Sequence, residues 1–381
     1  MVRGLLVTAL LLAVGCGRSQ FAEIDAGGDA VGDAGDAPTS GVIRVQSGTT
    51  IIGTGSTVAL ASIAQVDPAH AFLVFTASVD SVDPGSGDVA GQLGAVQLQF
   101  SRGGPGNPAT VVWYVVEWPL MTVQRGNVLH PGPGITSFTQ PIVPVNLGES
   151  FPMLSVYNGG TGYDEDDFVA VHFVASNQLF FEVGAPTGGS NMPDRIEWQV
   201  VSIPGAKVQS GRSSLATGMA STTPSLTTTV DPAHAMLVHS WFTSFDVAQI
   251  GANMLTGSLQ ASTVTLSRDP ATTTGDLTDD WFVIEHPSLN VQHGTTLLTQ
   301  PTIGIEEAIQ PVDRARAFPL VPGRYMQTPF AGSDPNDQIG VAAPHVFLTD
   351  PTIGDHIHIG RDSTLDAAQA TWSVIELPAS M

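Results

Sequence analysis

The sequence predicts an all-β protein: four tandem antiparallel β-sandwich repeats, in two related pairs, after a signal peptide and a disordered acidic linker. Three observations carry the prediction. A Trp-x-Val-(Val/Ile) strand recurs at Trp113, Trp198, Trp281 and Trp372, with spacings of 83–91 residues. A Val-Gln-x-Gly tetrapeptide recurs at Val45, Val123, Val208 and Val291, in the same phase. The chain is 42% apolar but only 13% charged, with 41 Gly and 27 Pro. Low charge with dense turn residues favours short strands over helices, and self-similarity at a fixed period marks a repeat architecture.

In chain order the organisation is as follows. Residues 1–15 form a signal peptide, with Arg3 as the positive region and an apolar run over Gly4–Val14 that is too short to span a bilayer. Residues 16–41 follow as a tether containing "DAGGDAVGDAGDAPTS". Asp, Ala and Gly alone cannot build a core, so this segment is read as disordered and self-repelling. Four sandwich repeats then occupy 42–121, 122–206, 207–289 and 290–381.

Strands are legible within each repeat. The first reads as Val42–Ile52, Thr57–Ile63, Ala71–Val79, Val89–Arg102 and Thr110–Trp118. In "AVQLQFSR" the alternation sets Val96, Leu98 and Phe100 on one face and Gln97, Gln99 and Ser101 on the other. The four tryptophans are read as core. "VDPAHA" occurs unchanged at Val66–Ala71 and Val230–Ala235. Its Asp accepts from backbone N–H while Pro fixes φ, so it is a turn, and His70 and His234 are read as structural. Repeats one and three share "VQSG" and "VDPAHA", whereas repeats two and four have "VQRG" and "VQHG". A pair of repeats duplicated whole explains this, and neighbouring repeats are expected to pack in pairs.

Comparing the repeats suggests one ion pair. Arg102, Arg268 and Arg361 end the fourth strand of repeats one, three and four, and Glu117, Glu285 and Glu376 end their Trp strands. Repeat two has Val183 and Ser202 instead, so both charges are lost together. An Arg–Glu pair is one reading, since losing one partner would strand a charge. Chance loss in one repeat is the other.

Charge excludes some partners. With 35 acidic against 13 basic residues, the net charge of −22 repels nucleic acid and anionic lipid headgroups. No Cys-x-x-Cys, His-Glu-x-x-His, Gly-x-Ser-x-Gly or phosphate-binding Gly-x-x-x-x-Gly-Lys occurs, so no enzyme is expected. His356 and His358 are two apart on one strand face and lack an evident third ligand; a solvated face is the reading. The loop after the third strand is acidic in every repeat, most densely in the second, where Asp164, Glu165, Asp166 and Asp167 are consecutive. Calcium needs six to eight oxygens, and these four carboxylates with loop carbonyls are the candidate metal ligands. Tyr157 and Tyr163 flank the same loop. Aromatic faces beside hydrogen-bonding groups suit sugars, which makes Tyr157, Tyr163 and Asp164 the candidate ligand-binding residues. Exposed acidic loops and turn-packing tyrosines are the competing readings.

Two resemblances add to this. Ala13-Val14-Gly15-Cys16 resembles the lipobox of bacterial lipoproteins, with Ala13 where the pattern usually has Leu. The resemblance implies lipidation at Cys16, the only cysteine, and Gly17 in place of Asp implies the outer membrane; an ordinary secreted protein is the alternative. The repeats resemble H-type lectin domains through Gln46, Gly48 and Trp113, and are equally similar to β-sandwich repeats of phage-tail and cell-surface proteins. The lectin resemblance implies sugar binding but carries over no binding residue. The expected function is therefore a lipid-anchored, non-enzymatic envelope protein that binds or adheres, to a glycan or a surface protein. A structural spacer without small ligand is the alternative, and an enzyme of unknown type is third.

Overall fold

The computed structural model describes residues 42–79, 84–132, 134–159, 167–184, 193–243, 254–268, 275–299, 301–327, 345–348, 354–360 and 367–380. Among these residues strands dominate and fall into four groups of six. The first group is β1 (Arg44–Ile52), β2 (Val58–Ser62), β3 (Ala71–Val79), β4 (Ala90–Leu93), β5 (Gln97–Ser101) and β6 (Ala109–Glu117). The second is β7 (Thr122–Val128), β8 (Ser137–Pro141), β9 (Ser150–Asn158), β10 (Val169–Ala175), β11 (Gln178–Val183) and β12 (Pro193–Ser202). The third is β13 (Lys207–Leu215), β14 (Ser221–Thr222), β15 (Ala235–Thr243), β16 (Thr256–Leu259), β17 (Val264–Ser267) and β18 (Leu277–Glu285). The fourth is β19 (Asn290–Leu298), β20 (Gly304–Val312), β21 (Ala317–Gln327), β22 (His345–Leu348), β23 (Gly354–Gly360) and β24 (Ala367–Glu376).

Each group folds as two three-stranded antiparallel sheets, ordered first-sixth-third and second-fifth-fourth: β1-β6-β3 faces β2-β5-β4, and the pattern repeats through β19-β24-β21 and β20-β23-β22. This is a jelly-roll wind shortened to six strands. The run read from sequence as one strand over 89–102 is two, β4 and β5, turned at Gly94, whose N–H donates to the Gln97 carbonyl at 2.8 Å. Leu98 and Phe100 are buried as the alternation requires, but Val96 falls in the turn and is 56% exposed.

The repeated motifs are explained locally. In every unit the glycine of Val-Gln-x-Gly lies directly opposite the tryptophan of the sixth strand: Gly48↔Trp113, Gly126↔Trp198, Gly211↔Trp281 and Gly294↔Trp372. The indole lies over the glycine so closely that a Cβ there would sit 2.1–2.6 Å from Cζ2. The glutamine clamps the backbone of the neighbouring edge through both amide atoms. Gln46 bonds Ala64, Gln124 bonds Val143, Gln209 bonds Thr228 and Gln292 bonds Gln310, at 2.6–3.0 Å. Three indole N–H groups donate to a hydroxyl two residues beyond the glycine: Trp113 to Thr50, Trp281 to Ser213 and Trp372 to Thr296. In the second unit that position is Val128, and the buried Trp198 Nε1 has no partner among the described residues.

Val-Asp-Pro-Ala-His-Ala is a capped one-turn 3-10 helix. Asp67 and Asp231 accept from Ala69 and Ala233 N–H, at 2.9 and 3.0 Å. His70 and His234 bond the Met121 and Leu289 carbonyls. Asn146 and Asp313 cap the equivalent turns of the other two units.

The proposed Arg–Glu pairing does not occur in the two units where both residues are described. Glu117 accepts from Asp67 N–H at 2.9 Å and from Arg44, and Glu285 accepts from Asp231 N–H at 2.8 Å. Arg102, 2% exposed, instead donates to the carbonyls of Ser56, Ser86, Asn107, Gly53 and Gly106. Arg268 donates likewise to the Met219, Gly275 and Ala216 carbonyls. The arginine gathers a loop, the glutamate anchors a turn, and they belong to different sheets. Arg361 lies outside the described residues.

The four sandwiches lie in one compact body, and they close on one another. Between the first and second units, Gln199 clamps Leu73 N–H and C=O at 2.9 Å. Between the second and third, Val171 N–H donates to Ser240 Oγ at 2.9 Å. Between the third and fourth, His293 Nε2 lies 2.9 Å from the Pro232 carbonyl. Val45 N–H reaches the Ala315 carbonyl at 2.6 Å, joining the fourth unit to the first. The variable residue of Val-Gln-x-Gly is the one that differs by pair: Arg125 donates to the Ala71 carbonyl and His293 engages Pro232, each in the turn of the preceding unit.

A shared core fills the centre of the ring. Equivalent residues Phe72, Phe151, Met236 and Phe318 are all buried in one apolar cluster with Val116, Val201, Ile284 and Ile375. Phe72 and Phe318 meet edge to face at 5.7 Å. The tryptophans fill the sandwich interiors and are 5–8% exposed.

Candidate functional site

The third strand of each unit, β3, β9, β15 and β21, is an edge strand of its sheet. These four edges converge around a cleft of about 340 Å³. Its floor is apolar, with Leu73, Met153, Leu237 and Leu320 among its residues. Asp88, Asp167, Gln199, Ser240 and Trp241 are among its polar and aromatic residues. Trp241 stacks on Phe168 of the second unit at 6.4 Å and on His239 at 5.4 Å. The buried Asn158 ties the wall together, its Nδ2 donating to Asp88 Oδ2 at 2.5 Å and to the Asp167 carbonyl at 3.5 Å.

The sequence-derived candidates meet this cleft only in part. Asp167 is buried and lines it. Tyr157 is half-buried near the end of β9, opposite Arg195, and is not among the residues that line the cleft. Tyr163, Asp164, Glu165, Asp166 and Cys16 lie outside the described residues, as do the acidic loops of the third and fourth units. The two candidate histidines of β23 engage separate carboxylates, His356 with Asp355 at 2.8 Å and His358 with Glu306 at 2.7 Å. The positions behind the lectin resemblance, Gln46, Gly48 and Trp113, are committed to the edge clamp and the indole seat described above.

One pair beside the cleft escaped the sequence reading. His239 Nδ1 lies 2.6 Å from Asp279 Oδ1, with both side chains 0% exposed. Among the described residues, His239 Nε2 and Asp279 Oδ2 have no hydrogen-bond partner. Burial pushes the Asp279 carboxyl above the usual carboxylate range, against the pull of His239. The equivalent residues in the other units are apolar: Phe75 and Val111, Leu154 and Ile196, Val321 and Ala370. Aligning the repeats position by position would have exposed the pair. Chemically it is an oriented imidazole whose second ring nitrogen has no hydrogen-bond partner among the described residues. Among the described residues no nucleophile is bonded to it.

The chain matches no protein-family model and no curated protein.

Proposed function

We propose that this chain is a non-enzymatic binding or adhesion protein of the cell envelope, anchored through lipid on Cys16, that holds an extracellular ligand in the central cleft. The observation that supports this most directly is the convergence of four strand edges on one concave site with an apolar floor, an aromatic stack and two carboxylates. Such a combination fits a ligand with an apolar face and several hydroxyls, and a glycan is the class proposed first; an extended segment of a surface protein is second. Calcium held by the Asp164–Asp167 run, whose last residue lines the cleft, is part of the proposal. A spacer gains length from units strung end to end, whereas here the first and fourth units are in contact, which favours the binding reading. The net charge of −22 argues against nucleic acid.

A glycan array probed with the purified chain, with and without calcium, tests the reading. Binding that is lost in Asp166→Ala and Asp88→Asn, with unchanged circular dichroism and melting, supports the cleft. Binding untouched by both substitutions moves the ligand elsewhere, and an array without signal, joined to a failure to bind any surface protein, leaves the spacer. Incorporation of labelled lipid into the wild type but not Cys16→Ser tests the anchor separately.

A further inference from the structure

The junction between the second and third units carries a second cluster, made of residues that are not among those lining the cleft. His172 of β10, Glu182 of β11 and Asp280 of β18 place one ligand atom each within 4.8 Å of one another. His172 Nδ1 and Asp280 Oδ2 are 3.0 Å apart. Two donors on one tetrahedral ion, with bonds of about 2.1 Å, stand ~3.4 Å apart, so only a small adjustment separates the pair from coordination. The side chains are 24%, 20% and 4% exposed, in the order His172, Glu182, Asp280. Phe180, 5.1 Å from the His172 ring centroid, steadies the imidazole. A cavity of about 240 Å³, bordered by Leu147, Phe173, Ser210 and Phe282, adjoins the cluster. It leaves room for a water ligand.

The other junctions show what packing alone requires. Between the first and second units, the residues equivalent to His172 and Asp280 are Gln92 and Glu197, joined by one hydrogen bond of 2.6 Å. The residue equivalent to Glu182 there is Ser101. Between the third and fourth units the corresponding residues are Ser258, Ser267 and Thr371, with no ionisable group among them. An amide and one carboxylate that also pairs with Arg195, or no ionisable group at all, suffice to join two units. The second–third junction has an imidazole and an additional carboxylate instead. It also has Arg212, bonded to Glu182 and with Nε 3.3 Å from Asp280 Oδ1. Arg212 is 40% exposed and lies 5.8 Å from the Phe242 ring centroid, so it has a route outward.

We propose that His172, Glu182 and Asp280 bind a divalent transition-metal ion of the zinc class, which displaces the Arg212 guanidinium from the two carboxylates. One imidazole nitrogen with two carboxylates suits zinc, whereas calcium selects an all-oxygen shell of six to eight ligands. Arg212 neutralises the carboxylates while the protein is metal-free and swings toward solvent when the ion enters. Coordination would then cross-link neighbouring sandwiches.

The test is titration of the full chain carrying Cys16→Ser, which removes the one thiol, with zinc alone. Calorimetry reads stoichiometry, and thermal melting reads the linked stabilisation, which grows with free zinc relative to Kd. The expected result is one zinc per chain and a rise in melting temperature. His172→Gln restores the residue used at the first junction. It is expected to leave the metal-free melting temperature unchanged while weakening zinc binding at least tenfold. Arg212→Gln is expected to bind at least as tightly as its parent. Zinc binding undiminished by His172→Gln overturns the proposal. So does binding that appears only after Arg212→Gln, because the guanidinium is then the sole cation of the site, and so does the absence of binding in all three proteins.

Discussion

His239 and Asp279 form a fully buried hydrogen-bonded pair, Nδ1 to Oδ1 at 2.6 Å, at positions that the other three units fill with apolar side chains. Replacing a buried ion pair by well-packed hydrophobic residues is often neutral or stabilising, by about 1–4 kcal/mol, whereas removing one partner costs about 3–5 kcal/mol. The first unit supplies the replacement. His239→Phe with Asp279→Val copies Phe75 and Val111 and is expected to match or exceed the wild type in denaturant unfolding. Asp279→Val alone is expected to lose about 3–5 kcal/mol. A double variant less stable than the single one would refute this account of the pair.

The orphaned indole of the second unit offers a gain. Trp198 Nε1 is buried without a partner among the described residues, while its three equivalents donate to a Thr or Ser hydroxyl. Val128→Thr supplies that hydroxyl and is expected to stabilise the protein by about 0.5–1.5 kcal/mol, the usual net worth of a hydrogen bond. The denaturation midpoint should rise with an unchanged slope; a fall means the valine methyl matters more than the missing acceptor.

A methyl group under the indole is expected to do the reverse. At Gly211 an added Cβ would stand 2.3 Å from Trp281 Cζ2. Gly211→Ala forces the ring or the strand to move, and such overpacking costs about 1–3 kcal/mol. Trp281→Ala removes the ring altogether and costs about 3–5 kcal/mol. Equal stability of Gly211→Ala and wild type in urea would show that the seat is loose.

Mild acid is expected to loosen the body through histidines that packing partly desolvates. Desolvation lowers the pKa of His286, which is buried, and of His293 and His130, which are only partly covered, below the ordinary 6.5. The folded state therefore binds fewer protons than the unfolded chain in this range. The associated stability is complete above pH 6.5 and is lost as pH falls through the lower folded values. Melting temperatures recorded between about pH 7.5 and 5 should fall, and His293→Gln should fall less steeply. Parallel curves for the two proteins would remove His293 from the effect, although it joins Ser373 and the Pro232 carbonyl across the third and fourth units.

Much of the fold was legible because its signals are local. The alternation in β5 and the Asp-Pro turn at Val66 each fall within a few residues of sequence, and a fixed period repeats them. The hairpin at Gly94 was missed because Val96 continues the alternation while the backbone turns. The Arg102–Glu117 reading failed for a different reason. Joint loss of two charges in one repeat looks the same whether they touch each other or serve separate backbone groups. The candidate site was less accessible still. His239 and Asp279 are 40 residues apart, on two strands that the fourth and fifth strands of the unit, β16 and β17, separate in the chain. Neither residue type is unusual alone, and only their pairing against apolar counterparts marks them.

From sequence alone came the all-β class, the four repeats and the tryptophan in each core, because strand period and turn chemistry act between near neighbours. Tertiary structure alone decided that the first unit meets the fourth, that the four third strands share a cleft, and that His172 and Asp280 face each other across a junction. Those contacts depend on the complementarity of whole sheet faces brought together from distant parts of the chain, and no short stretch of residues encodes them.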